Sequence, residues 1–547
     1  MDGEEISPKP QRRGAKAWGD FRYPYQGALE FIGWGIFEIM RSRIGEIDRL
    51  KQAVLKGIDS EAVDAHRRAG KLTARERIER LLDHGTFCEI EMLSKPIESG
   101  LRTRRKSTFG DGVITGYGEV GKRPVCVWAQ DATVLGGRMG IVHGTKIVRV
   151  TERALKARVP CVGIIDSEGI RELEMLTIPT NYSYDRIMYA QVMASGVIPQ
   201  ISLIMGPCIG PAAISAQLSD FVFMVRDTSY AYLSRAPERT DSEEVGKAEM
   251  HFKSSGCCDV LTEGDEACIG KARELLGFLP LNNKESPPRV DTGDDPHREV
   301  PELFDIVPVD SKKPYDVHDV ITKIADNGEF FEIREGWATN LVVGLARFGG
   351  KACGLIANNP RIMGGCLDVD SADKLARFVR FCDAFRIPLV YLADTPAFLP
   401  GIEQERKGII RHGSKVVLAN SVASTPQVQI YLRKCYGGGN LAMPGNNLGG
   451  DFGLAWPTAE LLLMHPEGAV AIIHRKEIAA ADDPDEQFSK RLKEFKSGGA
   501  VKNIWESLSV QDFINPKDTR AKLIKALEFL EGKEEASYFK KHDNMPL

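Results

Sequence analysis

The 547-residue sequence lacks most of the signatures that mark familiar classes of enzyme. It contains no G-x-S-x-G elbow, no Walker A loop, no H-E-x-x-H motif and no His, Cys and Asp cluster spaced like metal ligands. Eleven cysteines are present but no C-x-x-C pair, which argues against a zinc ribbon or a disulfide framework and favours a reducing compartment. We therefore expect no metal site, and any chemistry has to rest on backbone groups.

The sequence also lacks a large excess of one charge and a convincing membrane-spanning run. Its formal net charge is −4, which does not indicate nucleic acid or an anionic membrane as a partner. The best candidate span, residues 196–216, contains three prolines and three glycines and instead predicts a buried strand followed by a turn. Residues 1–13 are unlike a secretory or transit peptide. We expect a soluble cytoplasmic protein, or one of the mitochondrial matrix if this is a mature eukaryotic chain.

The chain does contain an internal duplication. Similar strings recur in the same order, beginning at Gly116 and Gly344, Gly136 and Gly364, Asp166 and Asp394, and Pro199 and Pro426. The separation is 228 positions for the first three pairs and 227 for the last, a register that unrelated strings would not keep. In each copy, apolar runs that end in Asp or Gly alternate with helical stretches. This pattern predicts an α/β fold made of two homologous units.

Composition and periodicity set the boundaries that we predict. The divisions are residues 1–58, an N-terminal extension with a helix; 59–290, the first unit; and 291–547, the second unit. The stretch 282–310 has no periodicity and is rich in Pro, Asp, Lys and Asn, which is typical of a linker. Amphipathic helices are expected at residues 39–54, 66–82 and 519–540.

Two glycine clusters are the best candidates for a functional site. Gly206 and Gly210 follow the apolar run ISLIM, and residues 437–439, all glycine, follow QIYLRKCY. A glycine turn between a strand and a helix presents backbone N–H groups that can stabilise an oxyanion. A single turn of this kind is more often only a tight connection. Because matching turns occur at equivalent places in both halves, we favour a functional role.

Several polar residues near these turns have two interpretations each. Asp166 and Asp394 end matching strands, where capping a helix or binding loop amides is the favoured role. Arg433 and Lys434 precede the second cluster and could bind a phosphate, but we favour exposure to solvent. His412 could act as a base, although a hydrogen-bonded structural histidine is the better interpretation.

Two further segments carry weaker signals. Residues 116–121 match G-x-G-x-x-G by letter but lie between two strand-like runs, so we predict a hairpin turn rather than a dinucleotide site. The basic residues between positions 102 and 106 either bind phosphates or form a solvated loop, and the sequence does not decide between these.

Taken together, the strings resemble one known family. QDATVLGGRMG, DSEGIRE, GPCIGPAAIS, GGCLD, DTPAFLPG, GIIRHGSK and RKCYGGG occur in the order typical of the carboxyltransferase (β) subunits of biotin-dependent acyl-CoA carboxylases. The propionyl-CoA and methylcrotonyl-CoA carboxylase type is most similar, and the resemblance covers roughly residues 60 to 530. It implies two tandem crotonase-like domains, each a ββα superhelix.

The resemblance also implies a reaction and an assembly. A carboxyl group passes from carboxybiotin to an acyl-CoA, with the biotin ureido nitrogen as the base. The first unit binds CoA, the second binds biotin, and the active site forms between units of different subunits, usually in a hexamer that is a trimer of dimers. This chain contains no biotinylation string and no ATP-binding carboxylase module. We therefore expect a partner that supplies biotin carboxylase and biotin carboxyl carrier functions.

The resemblance assigns roles to particular residues. Those expected to stabilise oxyanions are Gly210 and Ala212 for the thioester, and Gly438 and Gly439 for biotin. Those expected to bind the CoA ester or biotin are Gly136, Gly137, Gly169, Arg104, Arg105, Gly364, Gly365 and Phe398.

Three departures from the family pattern affect these expectations. Pro211 stands where a second glycine is usual, so one N–H donor is missing from the first turn. Glu168 replaces a glycine, and Asn440–Leu441 replaces a Tyr–Asp pair, which suggests a bulkier or unusual acyl group. Two alternatives stay open: a biotin-dependent acyl-CoA decarboxylase subunit, and a non-catalytic partner subunit of such a complex.

Overall fold

The computed structural model describes residues 26–55, 60–96, 109–172, 174, 184–234, 245–445, 448–497, 510–535 and 540–546. Contacts divide the chain into two compact units, Met1–Ile58 and Asp59–Leu547. The described part of the first unit is one helix, α1 (Gln26–Leu55), which contains the amphipathic stretch expected at residues 39–54. Among the described residues, no helix combines the length and apolar character needed to cross a bilayer.

The larger unit contains two sheets of eight strands each. The strands of the first sheet are β1 (Cys88–Ile90), β2 (Val113–Val120), β3 (Arg123–Gln130), β4 (Cys161–Ser167), β5 (Gln200–Ile209), β6 (Phe221–Val225), β7 (Tyr230–Tyr232) and β8 (Val260–Thr262). The strands of the second sheet are β9 (Phe330–Ile333), β10 (Leu341–Phe348), β11 (Lys351–Asn358), β12 (Leu389–Thr395), β13 (Gln427–Tyr436), β14 (Phe452–Ala455), β15 (Glu460–Leu462) and β16 (Asp512–Phe513).

Helices connect the strands within each sheet and cover them. They are α2 (Ser60–Arg68), α3 (Ala74–Leu81), α4 (Ile141–Ala157), α5 (Tyr184–Ala194), α6 (Pro211–Gln217), α7 (Ala248–Met250), α8 (Asp265–Phe278), α9 (Leu303–Ile306), α10 (Val317–Ile324), α11 (Val369–Ala384), α12 (Ile402–Lys407), α13 (Ile409–Val422), α14 (Gly438–Ala442), α15 (Pro466–Ile473), α16 (Arg475–Ala479), α17 (Pro484–Ser497) and α18 (Thr519–Phe529).

The two sheets have the same topology. The strand order is β1-β2-β3-β4-β5-β6-β8 in the first and β9-β10-β11-β12-β13-β14-β16 in the second, and the short strands β7 and β15 pair with β5 and β13. In both, an antiparallel hairpin leads into parallel strands joined by helical crossovers. The predicted α/β architecture of two crotonase-like repeats is therefore confirmed. The boundary predicted between residues 290 and 291 stays a prediction.

The core explains why the strands lack alternating polarity. Every residue of β4 and of β12 is buried, as is usual for parallel strands with helices on both faces. A large apolar cluster contains side chains from both sheets, and Phe221 of the first packs edge-on against Phe381 of α11 with ring centroids 4.6 Å apart. The two repeats are thus joined by a shared core.

Three local predictions can be compared with the structure. Residues 116–121 lie in β2 and its turn to β3, so the hairpin is confirmed. The single helix expected at 66–82 is wrong: α2 ends at Arg68, and α3 begins after Thr73, whose side chain forms a capping box with Glu76. The C-terminal helix α18 ends at Phe529, well before residue 540.

Candidate active site

The two glycine turns have nearly the same backbone geometry. Gly210 follows β5 with φ 68° and ψ −132°, and Gly437 follows β13 with φ 46° and ψ −118°. The Gly210 N–H donates to the carbonyl of Tyr232 on β7 at 2.8 Å, and the Gly437 N–H donates to the carbonyl of Leu462 on β15 at 2.9 Å. A positive φ favours glycine at both places. The structure therefore makes Gly210 the counterpart of Gly437.

The turns differ in the N–H groups that come next. The first N–H groups of a helix have no acceptor within the helix, so those at the start of α6 and α14 can face a ligand. In α6 the first residue is Pro211, which has no N–H, and the next is the buried Ala212. In α14 the first two residues are Gly438 and Gly439. The first turn thus offers one such donor, and the second offers two.

Near each turn, a loop with paired glycines packs against the end of the neighbouring strand, β4 or β12. Gly137 and Gly365 have φ angles of 63° and 80° and lie in equivalent short 3-10 turns. A Cβ on Gly137 would lie 2.2 Å from the carbonyl oxygen of Asp166, and one on Gly365 would lie 2.4 Å from that of Asp394. Their preceding residues, Gly136 and Gly364, also have positive φ. Gly137 and Gly365 therefore need to be glycine for close packing against β4 and β12, whatever ligand binds nearby.

The remaining predicted binding residues lie around the same loops. The carbonyl of Gly169 accepts the Met139 N–H at 2.9 Å, which ties the loop after β4 to the start of α4. The ring of the half-buried Phe398 lies against the second turn, since a Cβ on Gly438 would be 2.9 Å from its Cδ2. Arg104 and Arg105 lie outside the described residues, so their role stays a prediction.

Behind the first turn lies a buried cluster of charges around Asp166. Its carboxylate accepts from Lys71 Nζ at 2.7 Å and from Arg77 Nη1 at 2.8 Å, and Arg77 also donates to the carbonyl of Met205 in β5. The expectation that Asp166 caps a helix or binds loop amides is therefore wrong. Lys71 and Arg77 were missed because the sequence separates them from Asp166 by 95 and 89 positions.

The second turn is supported by a different ion pair. Arg433 Nε donates to Asp394 Oδ2 at 2.7 Å, and both side chains are fully buried. Burial raises the pKa of Asp394, although the positive charges of Arg433 and Lys434 oppose the shift. The expected exposure of Arg433 to solvent is wrong, as is a capping role for Asp394. Lys434 is also mostly buried and donates to the carbonyl of Ser311 at 3.2 Å.

His412 and Glu168 are both engaged by neighbouring charges. His412 Nδ1 lies 2.8 Å from Asp373 Oδ1, which agrees with the structural role favoured from the sequence. Glu168 pairs with Arg138 at 2.7 Å, and both side chains are about half exposed. The unusual carboxylate beside the first turn is thus accompanied by a positive charge.

One pair of equivalent residues was not singled out from the sequence. Lys146 donates to the carbonyls of Gly110 and Val113, and Lys374 donates to those of Ala338 and Leu341, among others. Burial lowers the pKa of Lys146 to about 8 and that of Lys374 to about 7. The repeat register could have found them, because they are separated by the same 228 positions as the aligned strings.

Comparisons with known proteins identify the family. The model of the carboxyl transferase domain matches residues 65–545, so the chain belongs to this family. It is 42% identical over 526 residues to the carboxyltransferase subunit of propionyl-CoA carboxylase from Haloferax mediterranei, covering 93% of this chain and 100% of the relative. It is 43% identical over 501 residues to methylmalonyl-CoA decarboxylase subunit alpha from Veillonella parvula, covering 90% and 97%.

A solved structure supports the same family. The hexameric transcarboxylase 12S, with methylmalonyl-coenzyme A and methylmalonic acid bound, matches with a TM-score of 0.88 and 41% identity, covering 93% of this chain and 98% of that one. The family and the fold predicted from the sequence are confirmed, and with them a carboxyl-transfer activity.

Proposed function

We propose that this chain is the carboxyltransferase subunit of a biotin-dependent acyl-CoA carboxylase. It moves a carboxyl group from carboxybiotin to the α carbon, or the vinylogous γ carbon, of an acyl-CoA. The observation that carries this proposal is the pair of matched turns, each opening a helix whose first N–H groups have no acceptor within it. Such a transfer requires stabilisation of negative charge on two oxygens, the thioester oxygen of the acyl-CoA and the ureido oxygen of biotin. The two turns provide one group of N–H donors for each.

The first turn is suited to the thioester. As the α-proton leaves the acyl-CoA, negative charge moves onto the thioester oxygen, and the Ala212 N–H can donate to it there. The N–H of Gly210 is already directed to the carbonyl of Tyr232, so Gly210 acts by shaping the turn. Gly136, Gly137 and Gly169, together with Arg104 and Arg105, belong to the CoA side of this site.

The second turn is suited to biotin. When bound, carboxybiotin would supply the carboxyl group as CO₂, and the ureido nitrogen freed by the loss of CO₂ would serve as the base for the α-proton of the acyl-CoA. The N–H groups of Gly438 and Gly439 can donate to the ureido oxygen, with Phe398 packed beside them. Gly364 and Gly365 hold the adjoining loop. No side-chain base is needed at either turn, because the ureido nitrogen would serve as the base.

The acyl group is expected to be larger or more apolar than propionyl. Leu441 follows the second turn by one helical turn of α14 and is 47% exposed, so it presents an apolar surface next to the site. Propionyl-type members of the family carry an aspartate there. A partner subunit has to supply biotin and load it with the carboxyl group, because this sequence has no biotinylation string. By similarity to transcarboxylase 12S, we propose a hexamer, with each active site shared between two subunits.

The test is carboxyl transfer by the native complex. The full chain is tagged, its complex is purified, and incorporation of radiolabelled bicarbonate is measured with ATP and a panel of short, branched, unsaturated and long acyl-CoA esters. We expect incorporation with at least one ester, and the preferred one identifies the acyl group. An absence of incorporation across the panel, by a complex that contains a biotinylated subunit, would contradict the proposal.

A decarboxylase is the second candidate. It is favoured by the identity of 43% and 40% to the decarboxylase alpha subunits of Veillonella parvula and Propionigenium modestum. Such an enzyme would use the same two turns in the opposite direction. Copurification of the tagged chain with integral membrane subunits, together with sodium-dependent release of CO₂ from a carboxylated acyl-CoA, would favour it over the carboxylase.

A further inference from the structure

The loop beside the first turn carries an ion pair that the equivalent loop of the second repeat lacks. Glu168 directly follows β4, and the guanidinium group of Arg138 donates to its Oε2 through Nε at 3.2 Å and through Nη2 at 2.7 Å. At the repeat separation of 228 positions, the second repeat has Cys366 in place of Arg138 and Pro396 in place of Glu168. The second turn therefore has no counterpart of this pair.

The strands place Glu168 next to the first turn. Ser167 is paired in register with Cys208 across β4 and β5, and Thr395 is paired with Cys435 in the same way across β12 and β13. In each repeat, the residue after this strand pair lies beside the glycine turn that follows the neighbouring strand. The position is thus the same in both repeats, and only its side chain differs.

The loops that hold these positions are also fastened alike. The Met139 N–H donates to the carbonyl of Gly169 at 2.9 Å, and the Leu367 N–H donates to that of Ala397 at 3.1 Å. Each of these bonds joins the short 3-10 turn before a helix to the loop after a buried strand. The backbone around the ion pair is therefore not special to the first repeat.

The side chain of Glu168 fills a space that is open at the second turn. A Cβ on Gly136 would lie 2.8 Å from Glu168 Oε2 and 3.1 Å from its Cδ, so the carboxyl group rests against this glycine. Apart from its chain neighbours, a Cβ on the equivalent Gly364 would meet no atom of the described residues within 4 Å. Gly364 and Pro396 instead line a cavity of about 700 Å³ beside the second turn.

Arg138 fixes the carboxyl group over Gly136. Both of its hydrogen bonds go to the same oxygen of Glu168, and the Glu168 N–H donates to the carbonyl of Gly136 at 3.1 Å. The two side chains are 48% and 53% exposed, so they lie at the surface and not in the core. A pair with this exposure contributes little to the stability of the fold. It is, however, available to a ligand that binds at the first turn.

We propose that Glu168, positioned by Arg138, decides which acyl groups the first turn accepts. The inference rests on the proposed function, in which the acyl-CoA thioester binds at Ala212. Because the space over Gly136 is filled, a substituent on that side of the acyl group has no room. An apolar chain laid against the pair would also remove water from two charges without replacing its hydrogen bonds, which is unfavourable. The first turn therefore favours acyl groups that extend away from Glu168.

The test compares Glu168→Ala, which empties the space over Gly136, with Glu168→Gln, which keeps the volume of the side chain. The full chain is purified in its native complex, and both kcat/KM and the dissociation constant are measured for straight and branched acyl-CoA esters of increasing size. We expect Glu168→Ala to raise the ratio of kcat/KM for the bulkiest ester to that for the smallest by about tenfold, the effect of about one methylene group in a pocket. Glu168→Gln should leave this ratio nearly unchanged, because its amide oxygen can still accept from Arg138.

Arg138→Met tests the positioning role. It removes the two hydrogen bonds that hold the Glu168 carboxyl group, so the ratio should move in the same direction as in Glu168→Ala, but by less. Adding Arg138→Met to Glu168→Ala should change the ratio no further, because Arg138 acts through Glu168. Urea unfolding of the single variants should remain close to that of the natural chain, since the pair is half exposed.

Two outcomes would overturn the proposal. One is an equal change for all esters in Glu168→Ala, which would assign the pair to the CoA moiety or to the loop itself. The other is a shift of the same size in Glu168→Gln, because charge and not volume would then decide. Failure of the proposed function is distinct: no ester would support transfer by the wild-type complex. The dissociation constants would still show whether Glu168→Ala changes the preference among esters.

Discussion

The turn after β5 begins with Gly210 and the turn after β13 begins with Gly437, and the two glycines have nearly the same φ and ψ. In each turn the N–H of this glycine donates to a carbonyl of a short neighbouring strand, β7 in the first sheet and β15 in the second. One residue later they differ: Pro211 has no N–H to offer, and Gly438 has one. The duplication has therefore kept the backbone of the turn while its donors have diverged. The N–H groups that a turn can offer to a ligand are therefore decided by the residue after the turn glycine, which the backbone geometry of the turn does not fix.

The buried carboxylates near the two turns also keep equivalent positions but have different cation partners. Asp166 and Asp394 occupy equivalent places, but the first is neutralised by Lys71 and Arg77 from the N-terminal end of its repeat, and the second by Arg433 from β13 itself. A buried carboxylate needs a cation, yet different parts of the chain can supply it.

The largest effect is expected on stability, from Arg433→Met. It removes the partner at 2.7 Å from the buried Asp394 carboxylate and leaves only the Lys434 ammonium group, which is 3.7 Å away. It also removes the donor to three main-chain carbonyls, and together these losses cost about 3–5 kcal/mol of the free energy of unfolding. Lys71→Met should cost less, because Arg77 still pairs with Asp166. Urea unfolding measures both, and Arg433→Met with Asp394→Asn, which removes both charges, should recover part of the loss. If Arg433→Met and Lys71→Met lowered the free energy of unfolding equally, the expected difference between the ion pairs of Asp394 and Asp166 would be contradicted.

The next effect is expected on catalysis, from Gly438→Pro, which copies the first turn into the second. Loss of one N–H donor to an oxyanion lowers kcat by about 10²–10³-fold. Gly438→Ala is the matched control, because it keeps the N–H while adding the same Cβ contact with Phe398. The ratio of the two kcat values isolates the N–H. If the proline variant were as active as the alanine variant, this N–H would have no part in the reaction.

The reverse change, Pro211→Ala, tests the first turn. It restores an N–H at an exposed position and should raise kcat/KM for the acyl-CoA by up to about tenfold, which corresponds to one added hydrogen bond. Steady-state kinetics with varied acyl-CoA measures it. An unchanged kcat/KM would mean that Ala212 alone suffices, whereas activity that appears only in the variant would favour a non-catalytic role for the natural chain.

A further effect is expected from pH, through the two equivalent lysines, Lys146 and Lys374. Their folded-state pKa values, about 8 for Lys146 and about 7 for Lys374, lie below the usual lysine value, so between these values and about pH 10.5 the unfolded chain binds more protons. The free energy of unfolding should therefore rise with pH in this range. The contribution of Lys374 should begin at a lower pH than that of Lys146, because its pKa is lower. Urea unfolding from pH 7 to 9 should show a reduced slope for Lys374→Met and Lys146→Met, and unchanged slopes would contradict the shifts.

Much of the fold followed from the sequence because its signals are local or repeated. The constant register between the halves predicts two equivalent sheets, and the glycine clusters predict turns where Gly210 and Gly437 lie. Arg433 could not be placed in this way, because β13 is almost wholly buried on both faces and has no alternation that separates buried from exposed positions. The partners of Asp166 are distant in sequence, so only the folded structure brings them together.

The division of labour between the turns is best examined in a crystal structure of the complex with an acyl-CoA and free biotin bound. We expect the thioester oxygen within about 3 Å of the Ala212 N–H, and the biotin ureido oxygen at the same distance from the N–H groups of Gly438 and Gly439. A thioester oxygen bound at Gly438 and Gly439, or biotin at Ala212, would contradict the assignment.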